Sequence, residues 1–380
     1  MKSFIVTFIF LFTLLLLGGC KKNSAISDTK KNTSKNEIQY AKGLEIYHYH
    51  GYSVLKITHP WPGTTSSFTY ILKEKNGIIP DSLQQFTSIS VPIESLVVTS
   101  TTHIPALELL GVENTLVGFP NTDFISSPKT RKRIDSGQVK EVGTNETLNT
   151  EILIDMAPDL IVSFGMNNKN TSIDNLQKSG LKVFFNGDWN EQSPLGKAEW
   201  IKFFGALYGL DAKAKDIFST IEKEYQNTLA LAKKTKQKPT VLSGAMYQDQ
   251  WFVPQGESWM ALFLKEAQSN YLWANTTGSG SLTLPFETIL EKAQKAEFWI
   301  APGDFSSLKE MNNSNPHYAK FEAFKNKKVY SYALHKGAKG GILFFEWSST
   351  RPDWVLKDFI AIFHPELVPH HQPYFFEKLD

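Results

Sequence analysis

The stretch that most constrains this fold is Pro194 to Lys238, which reads as two helices parted near Gly209. In the second, Ala214, Ile217, Phe218, Ile221, Tyr225 and Leu229 recur at three- and four-residue spacing, the period of an amphipathic helix. Asp211 is the expected N-cap, Lys233, Lys234 and Lys236 sit where the macrodipole favours cations, and Pro239 ends the run. At about 1.5 Å per residue the helix spans on the order of 35 Å, the width of a small domain. Blocks of alternating strand and helix signals flank it at 41–193 and 239–380. One long helix joining two α/β lobes predicts a cleft between them, and clefts between domains hold small molecules.

In the first block, Leu44–Tyr49 and Tyr52–Thr58 alternate about Gly51 as a β-hairpin, and a third strand is expected at 69–73. His48 and His50 share one strand face, with no third metal ligand nearby in sequence; they read as exposed strand histidines. Strands at 95–99, 116–119, 160–164 and 183–185 alternate with helices starting near Pro105, Glu151 and Ile173. That cadence implies a parallel sheet with helices on both faces. Loops after the strands, at 99–104, 120–124, 144–148, 165–170 and 186–189, are expected to line the cleft. The second block has strands at 241–244, 298–301 and 329–332, helices from Trp259, near Glu287 and from Trp354, and a tail expected to pack back through its aromatics.

The N-terminus supplies an address. Lys2, an apolar run from Phe4 to Leu17, and Leu17-Gly18-Gly19-Cys20 read as a signal peptide ending in a lipobox, with Cys20, the single cysteine, as the lipidated residue. The competing reading is an uncleaved anchor; either way the globular part is exported and membrane-tethered. The boundaries that follow are a signal peptide at 1–19, a disordered lysine-rich tether at 20–40, an N-terminal lobe at 41–193, a linking region at 194–238 and a C-terminal lobe at 239–380. A net charge of +2 gives no argument for nucleic acid.

Two segments share one plan: TEILIDMAPDLIVSFG at 150–165 and FETILEKAQKAEFWIAPG at 286–303. Each puts a glutamate, Glu151 or Glu287, in the first turn of a helix that leads to an apolar strand ending on glycine. A lone glutamate there would merely complement the helix dipole, and two at matched positions suggest more. The lipobox, the linking helix, these paired segments and TRPDWVLKDFIAIFHPEL resemble the substrate-binding lipoproteins of ABC importers for iron–siderophore, haem or vitamin B12 ligands. The resemblance spans about 90–365 and leaves 41–75 as an addition. It implies two Rossmann-like lobes on a rigid helix, no catalysis, no cofactor, a monomer anchored by lipid, and delivery of a metal chelate to a permease dimer with its ATPase. It also implies that Glu151 and Glu287 dock on the permease.

For the ligand, the expected cleft loops offer His103, Asn121, Asp123, Phe124, Asn145, Trp189, Tyr247, Trp251, Phe252, Phe344, Phe345, Trp347 and Arg351. Aromatics with few charges suit a bulky, partly apolar chelate, iron–siderophore first and cobalamin or haem next. Haem ligation by His103, His335 or Tyr247, and carboxylate contacts from Arg351, Lys336 and Lys339, are the polar alternatives. Gly340 and Gly341 are expected to serve a left-handed turn or a close backbone approach. An enzyme, or a sensor or adhesin, on the same fold is the competing class; no Gly-x-Ser-x-Gly or His-Glu-x-x-His motif is present.

Overall fold

Apolar runs short enough for buried strands, each followed by a helix, build two parallel sheets in a computed structural model that describes residues 34–165 and 171–380. The expected signal peptide, Cys20 and residues 166–170, part of an expected cleft loop, lie outside the described residues.

The N-terminal region is a four-stranded sheet in the order β1 (Leu44–Tyr49), β2 (Tyr52–Thr58), β3 (Ser67–Glu74) and β4 (Thr87–Val91). The first three strands are antiparallel, as the hairpin signal predicts, and β4 adds in parallel. Sequence reading did not find β4, because TSISV is short and polar on one face.

The sheet of the first lobe is wholly parallel, from β5 (Leu96–Val98), β6 (Leu116–Phe119), β7 (Lys140–Glu141), β8 (Leu160–Phe164) and β9 (Val183–Asn186), in the order β7-β6-β5-β8-β9. Alternate residues feed opposite layers: Val98, Leu160 and Val162 enter one core, while Val97, Ile161 and Val183 enter another with Leu153 and Ile173. A sheet buried on both faces has continuous apolar strands, which is why the periodicity looked unbroken.

In the second lobe, β10 (Thr240–Ser243), β13 (Asn270–Tyr271), β15 (Phe298–Ile300) and β16 (Val329–Ser331) are parallel neighbours in the order β13-β10-β15-β16, and β17 (Glu377–Lys378) closes the edge antiparallel. The tail thus packs back as expected, with Phe375 and Phe376 fully buried. A separate antiparallel sheet of β11 (Ala245–Tyr247), β12 (Gln250–Pro254) and β14 (Ser281–Pro285) takes the place of the cleft loop at 246–258 on which Tyr247, Trp251 and Phe252 were expected.

The linking helix runs Asp211–Ala232, preceded by short helices at Pro194–Glu199 and Ile201–Leu207. Its buried stripe of Ala214, Phe218, Ile221, Tyr225, Thr228 and Ala232 is divided between the lobes. Ala214, Phe218 and Ile221 join the core of the first lobe, and Tyr225 and Ala232 join that of the second. Each large apolar side chain so buried contributes about 1.5–3 kcal/mol, so the rod is held by both lobes rather than tethered between them. Two details differ from expectation. The N-cap is Leu210, with Asp211 already inside the first turn and no side-chain cap bond. Lys233 is the C-cap, so Lys234 and Lys236 lie past the helix.

The expected tether also ends earlier than residue 40. Ile38 is buried, Glu37 N–H donates to Ile46 O at 3.0 Å, and the N–H groups of Gln39, Tyr40 and Ala41 converge on the buried Glu199 carboxylate. Lys202 Nζ, 2.8 Å from the same carboxylate, neutralises it.

Candidate functional site between the lobes

Strands β5, β6 and β8 all point their C-terminal ends at one seam, the place where parallel α/β sheets bind ligands. A cavity of about 370 Å³ opens there. The first lobe supplies Thr99–Thr101 after β5, Phe119 and Pro120 at the end of β6, Phe124, Asn145 and Phe164 at the end of β8; the second supplies Asp304, Gly340–Ile342 and Phe345. Phe124 and Phe345 are 61% and 51% exposed, far more than the protein's core aromatics, and face each other's lobes across the cavity. Asn145 Oδ1 is buried with no hydrogen-bond partner among the described residues, an acceptor available to a ligand donor. Asp304 is the one ionisable side chain among the described lining residues, and Lys336 Nζ stands 2.9 Å from its carboxylate.

The lobes touch through a glycine-rich loop. Gly340 adopts φ +93°, and a Cβ on Gly341 would come within 2.2 Å of Phe124 O. A Cβ on Gly337 would meet Ser126 Cα at 2.5 Å. Both roles expected of Gly340 and Gly341 are therefore realised, one by each residue. The loop leads into a helix, Leu343–Trp347, that sequence reading left as loop. From it Glu346, fully buried, accepts the N–H groups of Ser126 and Ser127 at 2.6 and 3.0 Å. Ser127 is the N-cap of helix Pro128–Asp135, so a carboxylate from one lobe caps a helix of the other. Burial pushes the Glu346 carboxyl up to about 7; the N–H of Ser126 opposes this, and the nearby Glu108 carboxylate adds to it.

The remaining expected ligand residues scatter. His103 begins the helix His103–Leu110 rather than ending a loop, which turns it inward. It is fully buried against Phe204, its ring nitrogens lack hydrogen-bond partners among the described residues, and burial holds it below its ordinary value. It therefore lies out of a ligand's reach. Its Nε2 is 3.9 Å from Asp188, beside buried Lys197, whose ammonium donates to the carbonyls of Asp188 and Trp189 and is pushed by burial down to about 8. Trp251 is also misplaced by the loop assumption: as the inward residue of β12 it packs fully buried against Trp299, Tyr318 and Phe321. Phe344 points into the core onto Trp259 and Tyr332, and its neighbour Phe345 is the one at the cavity. Arg351 pairs with Asp353 at 2.6 Å and stacks over Trp354 at 3.8 Å, which makes it the start of the last helix and not a cavity wall. Trp347 stacks on the same Trp354.

Asn121, Asp123 and Trp189 stay near the seam without lining the cavity. Asn121 takes φ +50° before Phe124, Asp123 is 3.7 Å from Arg131, and Trp189 Nε1 donates to Gly165 O. Tyr247 and Phe252 are exposed on the β11–β12 hairpin. His335 Nε2 is 3.4 Å from Glu377. Glu151 and Glu287 are both exposed, each in the first turn of its helix, Thr150–Met156 and Phe286–Ala293.

Two parallel-sheet lobes pinned to one helix, with a cavity at the strand ends between them, define a two-lobed solute-binding architecture. The chain belongs to the periplasmic binding protein family, which residues 96–333 match. The family and its fold are those of substrate-binding proteins. The chain is 25% identical over 375 residues to an uncharacterized lipoprotein of Methanocaldococcus jannaschii, covering 92% of this chain and 87% of that protein. Among solved structures it is similar to a periplasmic heme-binding protein of Pseudomonas aeruginosa (TM-score 0.57, 18% identity, 76% of this chain and 98% of that one). It is also similar to a possible iron-binding, periplasmic solute-binding protein of Staphylococcus epidermidis (TM-score 0.56, 18% identity, 72% and 99%).

Proposed function

We propose that this protein is the membrane-tethered substrate-binding component of an ABC importer, and that it captures a metal chelate, an iron–siderophore before haem or cobalamin. The observation that carries the reading is the cavity's chemistry. Four phenylalanines (Phe119, Phe124, Phe164 and Phe345), hydroxyls of Thr99–Thr101 and one orphaned amide acceptor line it. No histidine, cysteine, lysine or arginine is among its described lining residues. Bare metal needs converging ligand side chains, whereas a chelate brings its own and presents an organic shell for stacking and burial. The iron- and heme-binding proteins of similar fold support the same class.

Lipidation at Cys20 would hold the protein at the membrane, facing the periplasm or the outer surface of the cytoplasmic membrane; the similarity to a lipoprotein supports this. Glu151 and Glu287 are the candidate permease contacts: two exposed carboxylates on matched helices suit two copies of a basic docking surface. Calorimetric titration with ferric hydroxamate, ferric catecholate, haem and cobalamin tests the ligand class. Binding of one of them at one per chain is expected, weakened roughly tenfold by Phe345→Ala. Absence of binding to all four would reject the assignment.

A further inference from the structure

His48, read from sequence as a strand histidine without a third ligand, acquires carboxylate neighbours from two distant segments. Glu37 lies where the chain enters the folded body, His48 on β1, and Asp211 in the first turn of the linking helix. One ligand atom from each falls within 4.8 Å of the others. His48 Nε2 is 2.6 Å from Glu37 Oε2 and 3.8 Å from Asp211 Oδ1. A zinc ion held at about 2.0–2.2 Å from N and O ligands separates them by roughly 3–3.6 Å, so the three need move by less than about 1 Å to enclose one. The other ring nitrogen, Nδ1, is 2.9 Å from Ser53 Oγ. A partner on Nδ1 is how metal-bound histidines are oriented, with Nε2 left to face the ion.

Charge points the same way. Asp211 and His48 both meet the field of Glu74, and the imidazole is the nitrogen member of the triad. Lys202 and Lys215 act on Glu37 from outside the triad. All three side chains are partly open to solvent, which leaves positions for water ligands.

We propose that Glu37, His48 and Asp211 form a divalent-metal site of the zinc class, which staples the entering chain and the N-terminal sheet to the start of the linking helix. The site lies outside the interlobe cavity and is structural, closing a link between segments 163 residues apart (Asp211 and His48). It ties the added N-terminal sheet to the one helix that both lobes share.

The test is calorimetric titration of chelator-stripped, detergent-solubilised full-length protein with Zn²⁺, with Co²⁺ absorption as a second readout. One Zn²⁺ per chain is expected in wild type, with affinity falling roughly tenfold or more in His48→Ala and in Asp211→Asn, and a ligand-field cobalt band lost in both. His48→Gln, which keeps a polar group beside Glu37, guards against misfolding: with a native circular dichroism spectrum it should still lose zinc. His370→Ala, at an exposed histidine in the C-terminal tail, should leave zinc binding unchanged. No zinc uptake by wild type, or uptake that survives folded His48→Gln, or loss only in His370→Ala, overturns the proposal.

Discussion

Replacing Glu346 by glutamine gives the sharpest reading of the contact between the lobes. The side chain is fully buried, accepts two backbone N–H groups of the opposite lobe, and has its carboxyl raised from an ordinary 4.5 to about 7. A carboxyl whose folded value is raised is held more tightly protonated in the folded state. Between about pH 4.5 and 7 the folded chain therefore binds the extra proton, and stability from this group falls as pH rises through that window. At about 1.4 kcal/mol per pH unit the full difference is of order 3 kcal/mol. Glutamine is isosteric and uncharged at every pH, so it keeps an acceptor and removes the ionisation cost. Ser126 and Ser127 bond to separate oxygens, so glutamine leaves one of these N–H groups without its acceptor and should destabilise at pH 5 by about 1–3 kcal/mol. Between pH 5 and pH 8 the difference should move in favour of glutamine by roughly 2–3 kcal/mol. Urea unfolding of both proteins at intervals from pH 4.5 to 8 measures this, with other carboxylates cancelling in the difference. A difference that does not change with pH would refute a buried, ionisable contact between the lobes.

Three further outcomes follow from packing and placement. Trp251→Ala should destabilise the second lobe by about 3–5 kcal/mol in urea unfolding, since the indole is fully enclosed by Trp299, Tyr318 and Phe321. Gly341→Ala should push the glycine loop off Phe124 O, visible as faster amide exchange at Ser126 and Ser127 and weaker ligand binding. Glu151→Ala with Glu287→Ala should leave ligand affinity unchanged and abolish ATP-dependent uptake in vesicles carrying the permease; unchanged uptake removes the docking assignment.

Much of the scaffold is legible in the letters because burial on both faces writes uninterrupted apolar runs. Leu160–Phe164 and Leu96–Val98 could hardly be anything but central strands, and the stripe from Ala214 to Ala232 announces the rod. The antiparallel β12 was missed although its pattern is present: Trp251 and Val253 point in while Gln250 and Phe252 point out, a period of two masked by an aromatic-rich stretch that resembled a binding loop. His103 failed for a reason of about one turn. A helix starting at His103, two residues before Pro105, rotates it into the core, and hydroxyl-rich TSTT gives no clear start. Phe344 and Phe345 are adjacent on a helix of five residues, too short for its faces to be told from periodicity. Glu346 left no local signal, because its partners lie 220 and 219 residues away. The metal-ligand triad is hidden in the same way, its members coming from the entering chain, a strand and a helix start.

Capture of an intact chelate between the lobes is the function proposed for this protein. Protein purified from its own host under non-denaturing conditions, and examined by native mass spectrometry with an absorption spectrum, tests that most directly. The prediction is one organic metal complex per chain, with its own chromophore, lost together with Phe124→Ala and Phe345→Ala. A cavity that retains a bare ion, or a ligand that leaves chemically altered after incubation, would contradict it.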